Sequence, residues 1–218
     1  MMKARLFFLS LLMLVFFSNE SQAQYQALYN GNMERGYPQQ EYANTPYYPV
    51  NFQKGEVSFK GYTYTDIDMR CDLYTGNLII QSPVNGMSVY YQPDELDRII
   101  MNGNEFLYMK KQEGAPSDGW YEKVTGDAEW TMYRYHAISN KAKEMKGSTS
   151  TYKFYTTQKL FLLKAGTWKS VSSVSSFAKN FPEKKNEIKN YAKQNGLRLS
   201  VENIEAWKLL ATNLLMTN

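Results

Sequence analysis

VSFKGYTYTDIDMRCDLYTGNLIIQSPVNGMSVYYQPDELDRIIMNGNEFLYMK, residues 57–110, decides the fold. Apolar or aromatic residues return at every second position within short runs. Val57 and Phe59, Tyr62 and Tyr64, Ile67 through Met69 and Cys71 to Leu73, Met87 through Val89 to Tyr91, and Phe106 and Tyr108 all follow this rule. Period two marks strands with one buried face. Between the runs stand Thr75-Gly76, Asn85-Gly86 and Asn102-Gly103, pairs that tolerate the positive φ angles of tight hairpins. The centre of the chain therefore reads as an antiparallel meander.

Outward from the meander, residues 120–172 read as a second group of strands: 120–124, 129–138, 151–156, 159–164 and 168–172, with turns at Gly126-Asp127 and Ala165-Gly166. Ser139–Ser150, SNKAKEMKGSTS, lacks any apolar period and reads as a long loop. Within the meander itself, strands are expected at 55–60, 61–66, 68–74, 77–82, 87–92 and 104–110. Pro93 followed by Asp94 and Glu95 predicts one or two helical turns carrying Leu96, Ile99 and Ile100 inward.

The period then changes. Val174–Phe181 reads as a short helix, and Pro182 opens another that closes at Asn195-Gly196. Ser200 is a suitable N-cap for a last helix with Val201, Ile204, Trp207, Ala211 and Leu214 on one stripe. Strands first and helices last predict an α+β fold: an antiparallel β-meander, sandwiched or rolled barrel-like, with a C-terminal helical tail.

Residues 24–53 are rich in Tyr, Asn, Gln and Pro and show no sustained period, which suggests an extended arm over the body or a partly disordered segment. Tyr42, Tyr47, Tyr48 and Phe52 are the rings available to pin it. Before it, Lys3 and Arg5 precede an apolar run from Leu6 to Phe17, and Ser21-Gln22-Ala23 offers small residues for signal peptidase. That run falls short of the ~20 residues that span a bilayer. The expected organisation is a signal peptide at 1–23, the arm at 24–53, a β body at 54–172 and helices at 173–218. Export follows: periplasm, outer-membrane periphery or secretion, with no membrane-spanning segment once the leader is removed.

Composition narrows the chemistry. Tyrosines number 18 and aromatics make up 15% of the chain, which suits half-buried sheet surfaces and, as a second reading, a face for sugar stacking or an apolar ligand. One cysteine, Cys71, excludes an intrachain disulfide, and its apolar phase makes it a packing residue. Charge is uneven: residues 24–137 hold 9 basic and 15 acidic side chains, residues 138–198 hold 13 and 3. Such polarity points to an internal contact or an anionic partner.

The segments "NTPYYPVNFQKGEVSFKGYTYTDIDMRCDLYTGNLIIQ" and "KLFLLKAGTWKSVSSVSSFAKNFPEKKNEIKNYAKQNGLRLSVENI" resemble an uncharacterised family of secreted proteins from Bacteroidetes bacteria. The likeness rests on an Arg-x-Asp-x-Tyr run, here Arg70, Asp72 and Tyr74, and on the helix start Phe181, Pro182, Glu183, Lys184 and Lys185. Cys71 stands where that family's pattern leads one to expect an aromatic. The resemblance implies a secreted envelope protein and carries no established activity.

Catalytic routes are few. His136 is the single histidine, so a Cys71–His136 dyad, a Ser-His-Asp site and a zinc centre all compete for one imidazole. There is no Gly-x-Ser-x-Gly elbow and no phosphate-cradling glycine loop. Asp66, Asp68 and Asp72, and Asp94, Glu95 and Asp97, are acidic knots that read as solvated faces, with calcium binding or glycosidase chemistry as the sharper alternatives. No catalytic residue, metal or cofactor is expected. Lys184, Lys185, Lys189 and Lys193 fall largely on one side of the helix after Pro182 and are the candidate binding residues for an anionic partner. Runs of about six residues and a helical end argue against an outer-membrane barrel. The leading function is binding or scaffolding in the cell envelope, without enzymatic activity. The runner-up is a lipocalin-like carrier of a small apolar ligand, and a hydrolase using the acidic residues comes third. Expected partners are another envelope protein, anionic lipid or a small apolar ligand, with no nucleic acid.

Overall fold

The computed structural model describes residues 25–147 and 149–215. The expected signal peptide, 1–23, lies outside them. Among the described residues one antiparallel sheet of 11 strands dominates: β1 (Asn32–Met33), β2 (Tyr47–Phe59), β3 (Tyr62–Asp72), β4 (Leu78–Gln81), β5 (Ser88–Tyr91), β6 (Arg98–Met101), β7 (Asn104–Met109), β8 (Gly119–Gly126), β9 (Trp130–Lys146), β10 (Thr149–Lys164) and β11 (Thr167–Val171). The order is β1-β5-β4-β3-β2-β6-β7-β8-β9-β10-β11. It is one open sheet rather than a two-sheet sandwich or a closed barrel, and three helices follow it: α1 (Val174–Ala178), α2 (Lys185–Gln194) and α3 (Ile204–Leu214).

The link from β5 to β6 forces curvature. In the sheet β4, β3 and β2 lie between those two strands, and Tyr91 lies level with Cys71 of β3 while Arg98 lies level with Thr63, yet only residues 92–97 connect them. Such a link reaches roughly 20 Å at most. That half of the sheet must curl, and the rings of Phe59 and Tyr91 duly meet 5.0 Å apart. Two register slips in β2, between Tyr48 and Gln53 and between Gly55 and Val57, supply the bend.

Tight turns hold the meander in register. Asn102 and Gly103, with φ of 50° and 74°, join Met101 to Asn104, and Ala165-Gly166 does the same between Lys164 and Thr167. The curled half encloses Ile67, Met69, Ile80, Met101 and Trp120. On the same side, farther along, Trp130, Met132, Leu160 and Leu162 form a second core with the helices. There Trp207 packs edge-on against Phe177 at 5.3 Å and donates its indole N–H to the Ser200 carbonyl at 3.0 Å.

Several expectations are corrected. Residues 139–146 and 149–150 are not loop but the far part of the β9–β10 hairpin, whose pairing runs to Lys146 opposite Thr149. The two strands expected within 61–74 are one, Tyr62–Asp72, and the two expected within 151–164 are one, Thr149–Lys164. The expected turns at 93–100 stop after Pro93–Glu95; Arg98–Met101 is a strand between β2 and β7 that buries Ile99 and Met101. Hydrogen bonding to two neighbours outweighs the i, i+3, i+4 spacing of Leu96, Ile99 and Ile100. The N-cap of α3 is Asn203, whose Oδ1 accepts from the Ala206 N–H; Ser200 Oγ accepts from the Asn203 N–H one turn earlier. The arm becomes a strand at Tyr47, before Gln53, because Tyr47 and Tyr48 pair with Asp72 and Cys71.

Of the rest of the arm, residues 25–28 form a helical turn that buries Leu28 in the first core, Asn32–Met33 pair with β5, and residues 41–44 lie along the free edge of β10. The Ala43 N–H donates to the Tyr152 carbonyl at 2.8 Å, and the Tyr152 N–H donates to the Glu41 carbonyl at 2.7 Å. Asn44 acts as a substitute peptide, its amide donating to the Phe154 carbonyl and its Oδ1 accepting from the Phe154 N–H, both at 2.8 Å. Lys141 closes the junction. Its ammonium lies 4.6–5.5 Å from the ring centres of Tyr42, Tyr74, Tyr152 and Phe154, a cation held by ring faces.

Candidate functional site

Between the two cores, three charged or titratable side chains enter the apolar face. Trp120-x-Glu122-x-Val124 on β8 and Met132-x-Arg134-x-His136 on β9 alternate in phase with the buried residues. Glu122 is directly opposite Arg134, and His136 is opposite Trp120 and Gln158. The pleat thus brings Glu122, Arg134 and His136 together on one face.

Glu122 is 2% exposed and His136 1%. Glu122 Oε2 accepts from Arg134 Nε at 2.8 Å, from Arg134 Nη2 at 2.5 Å and from His136 Nε2 at 2.9 Å. Its Oε1 accepts from Asn104 Nδ2 at 2.9 Å. Asn104 Oδ1 in turn accepts from Lys208 Nζ at 3.0 Å, and that ammonium also meets Glu205 at 2.9 Å. Arg134 donates to the Tyr48 hydroxyl at 3.2 Å and to the Val201 carbonyl at 3.4 Å. The ring of Tyr48 lies 3.9 Å from that of His136. The network ties β2, β7, β8, β9, β10, the 197–203 link and α3 to one carboxylate.

Protonation follows from these contacts. Burial pushes the Glu122 carboxyl upward, but the hydrogen bonds from His136 and Arg134 and the guanidinium charge outweigh it, so the group is held below its usual range and stays ionised. Burial lowers His136; the carboxylate of Glu122 pulls the other way, the Arg134 charge adds to the lowering, and the net shift is downward. We assign a neutral imidazole that donates from Nε2 to Glu122 and accepts at Nδ1 from the Gln158 amide at 3.1 Å. Both ring nitrogens are thereby committed.

The sign of the pH effect is the same for both groups. A histidine with a depressed folded pKa, and a carboxylate with a depressed folded pKa, each leave the unfolded chain binding more protons. The stability they contribute is present above the unfolded values, 6.5 for His136 and 4.5 for Glu122, and is lost as pH falls. Urea midpoints are expected to decline as pH drops below 6.5, and a His136→Gln variant is expected to flatten the first part of that decline. Equal slopes in variant and parent would remove His136 as its cause.

The other sequence candidates do not converge. Lys184 turns its ammonium to the Leu214 carbonyl at the end of α3. Lys185 and Lys193 are exposed on α2, and Lys189, partly buried, lies between them on the same stripe. Asp66 and Asp68 share Lys54, at 3.5 and 3.0 Å. Asp72 is buried and caps its own turn, accepting from the N–H groups of Tyr74 and Thr75 and from the Tyr37 hydroxyl at 2.7 Å. No cluster of three or more metal-ligating side chains occurs among the described residues. Cys71 is wholly buried, and burial raises its thiol, the reverse of what a nucleophile needs.

No family model, curated protein or solved structure matches the chain.

Proposed function

We propose that the chain is an exported, non-enzymatic binding or scaffolding protein of a bacterial cell envelope. The observation that carries this reading is the filled interior of the curled sheet. Ile67, Met69, Met101 and Trp120, none more than 1% exposed, occupy the space where a carrier would hold its ligand. Clefts of about 380–600 Å³ at the surface, such as those beside Trp130 and Phe181 and beside Phe59 and Tyr91, are open to solvent. The committed imidazole of His136 supports the absence of hydrolytic chemistry. The leader pattern at 1–23 and the resemblance to secreted Bacteroidetes proteins support the compartment.

Native mass spectrometry of the chain purified gently from a bacterial envelope tests both halves. The expected result is a polypeptide beginning at Gln24 that carries no small-molecule adduct and retains a macromolecular partner. An adduct of a few hundred daltons, released on denaturation, would establish the carrier instead. Recovery of an uncleaved chain from the cytoplasm would overturn the export reading.

A further inference from the structure

The helices cover only one face of the sheet; on the reverse face of β8–β11 lies an aromatic cluster. Tyr121 is at its centre, with Tyr133, Tyr135, Phe161 and Trp168 around it at ring separations of 4.9–6.4 Å. No helix packs on these rings; the cover comes from the 110–119 loop, through Ala115 and through the bonds of Tyr121 to Ser117 and Tyr135 to Asp118. Phe161, Leu163 and Trp168 keep part of their surface open. Trp168 keeps part of its indole open, whereas the indoles of Trp120, Trp130 and Trp207 are buried. Lys123 stands directly opposite Tyr133, and Lys159 directly opposite Tyr135, so both flank the rings on this face, from opposite sides. Neither forms an ion pair within 4.0 Å among the described residues, although Glu105, which pairs with Arg98, lines the same cleft as Lys123.

We infer that this face is a docking surface for an acidic polysaccharide. An occupant must offer apolar C–H faces to the open parts of Phe161 and Trp168, since Tyr121, Tyr133 and Tyr135 are buried, and separated negative charges to lysines on two sides. A chain of acidic sugars carries both, while an apolar peptide leaves both lysines unanswered. Rings with a polar handle at the edge of a sheet are suited to such mixed surfaces, and the two cations favour encounter with a polyanion. The inference rests on the binding reading above and names the ligand class of one surface.

The test uses the exported chain with polygalacturonate, neutral dextran and poly-glutamate as probes, read by affinity electrophoresis and by acrylamide quenching of tryptophan fluorescence. Trp168 is the tryptophan a quencher reaches. Polygalacturonate is expected to retard the chain, to protect its fluorescence and to lose its hold as salt rises. Trp168→Ala and Lys159→Glu are each expected to weaken retardation by about tenfold, the scale of a central anchor in an interface. Lys159 is exposed, so its variant decides the matter even where Trp168→Ala disturbs folding. Equal retardation by dextran or poly-glutamate, no protection of fluorescence, or full affinity in Lys159→Glu would overturn the inference. If polygalacturonate fails while a partner still co-purifies, this surface is refuted and the binding reading stands; a small-molecule adduct or substrate turnover refutes that reading itself.

Discussion

Glu122→Ala is expected to cost about 3–5 kcal/mol, the usual penalty for removing one partner of a buried ion pair. The carboxylate accepts four hydrogen bonds from Arg134, His136 and Asn104, and Arg134 is itself only 8% exposed. Alanine leaves a guanidinium without its counter-charge and an imidazole N–H and an amide without acceptors. For a chain of this size the melting temperature should fall by roughly 6–20 °C. Thermal unfolding followed by circular dichroism reads the change. The damage should come from the unpaired guanidinium rather than from loss of a favourable pair, so Glu122→Leu combined with Arg134→Met should recover much of it. A double variant as unstable as Glu122→Ala would show instead that the pair itself contributes the stability. A single variant within 1 °C of the parent would mean that water reaches this cluster.

Trp207→Ala is expected to cost a comparable ~3–5 kcal/mol, since the indole is 1% exposed and its loss opens a large cavity. Trp207 is also where α3 meets both α1, through Phe177, and the 197–203 link, through Ser200. The tail and the sheet share one core, so the loss should lower a single unfolding transition rather than split it. Urea unfolding followed by far-ultraviolet circular dichroism and by tryptophan fluorescence should give coincident curves. Two separated transitions in the parent would show the helices to be an independent unit. Trp207→Phe, which keeps most of the volume, should cost much less.

The parts of this fold that were legible in the sequence are those with a local cause. Asn102-Gly103 and Ala165-Gly166 turn because their residues accept positive φ, and the helix after Pro182 ends at Gly196, φ 60°, for the same reason. The part of the β9–β10 hairpin between Ile138 and Thr151 was not legible. Asn140, Lys141, Lys143 and Glu144 place polar residues on both faces, so no apolar period remains, and only the opposite strand declares the structure. β6 was hidden by coincidence, since its apolar spacing fits a helical turn as well as a strand. The Glu122–Arg134–His136 cluster did carry a signal: Arg134 and His136 occupy the phase set by Trp130 and Met132, and Glu122 the phase of Trp120 and Val124. A charge in an apolar phase calls for a buried partner. Which partner it finds depends on register, and a two-residue slip would have matched Glu122 with another residue.

The arm along β10 bears on colloidal behaviour. A hairpin as long as β9–β10 carries hydrogen-bonding edges, and exposed edges recruit strands from other molecules. Residues 41–44 occupy that edge at 152–154 with backbone bonds and the Asn44 amide, and Lys141 sets a charge among the rings that line the junction. Processing that trims the chain past Ala43 would uncover a row of unmet N–H and C=O groups. The same segment that reads in the sequence as a mere extended arm therefore covers this edge against strand addition from other molecules.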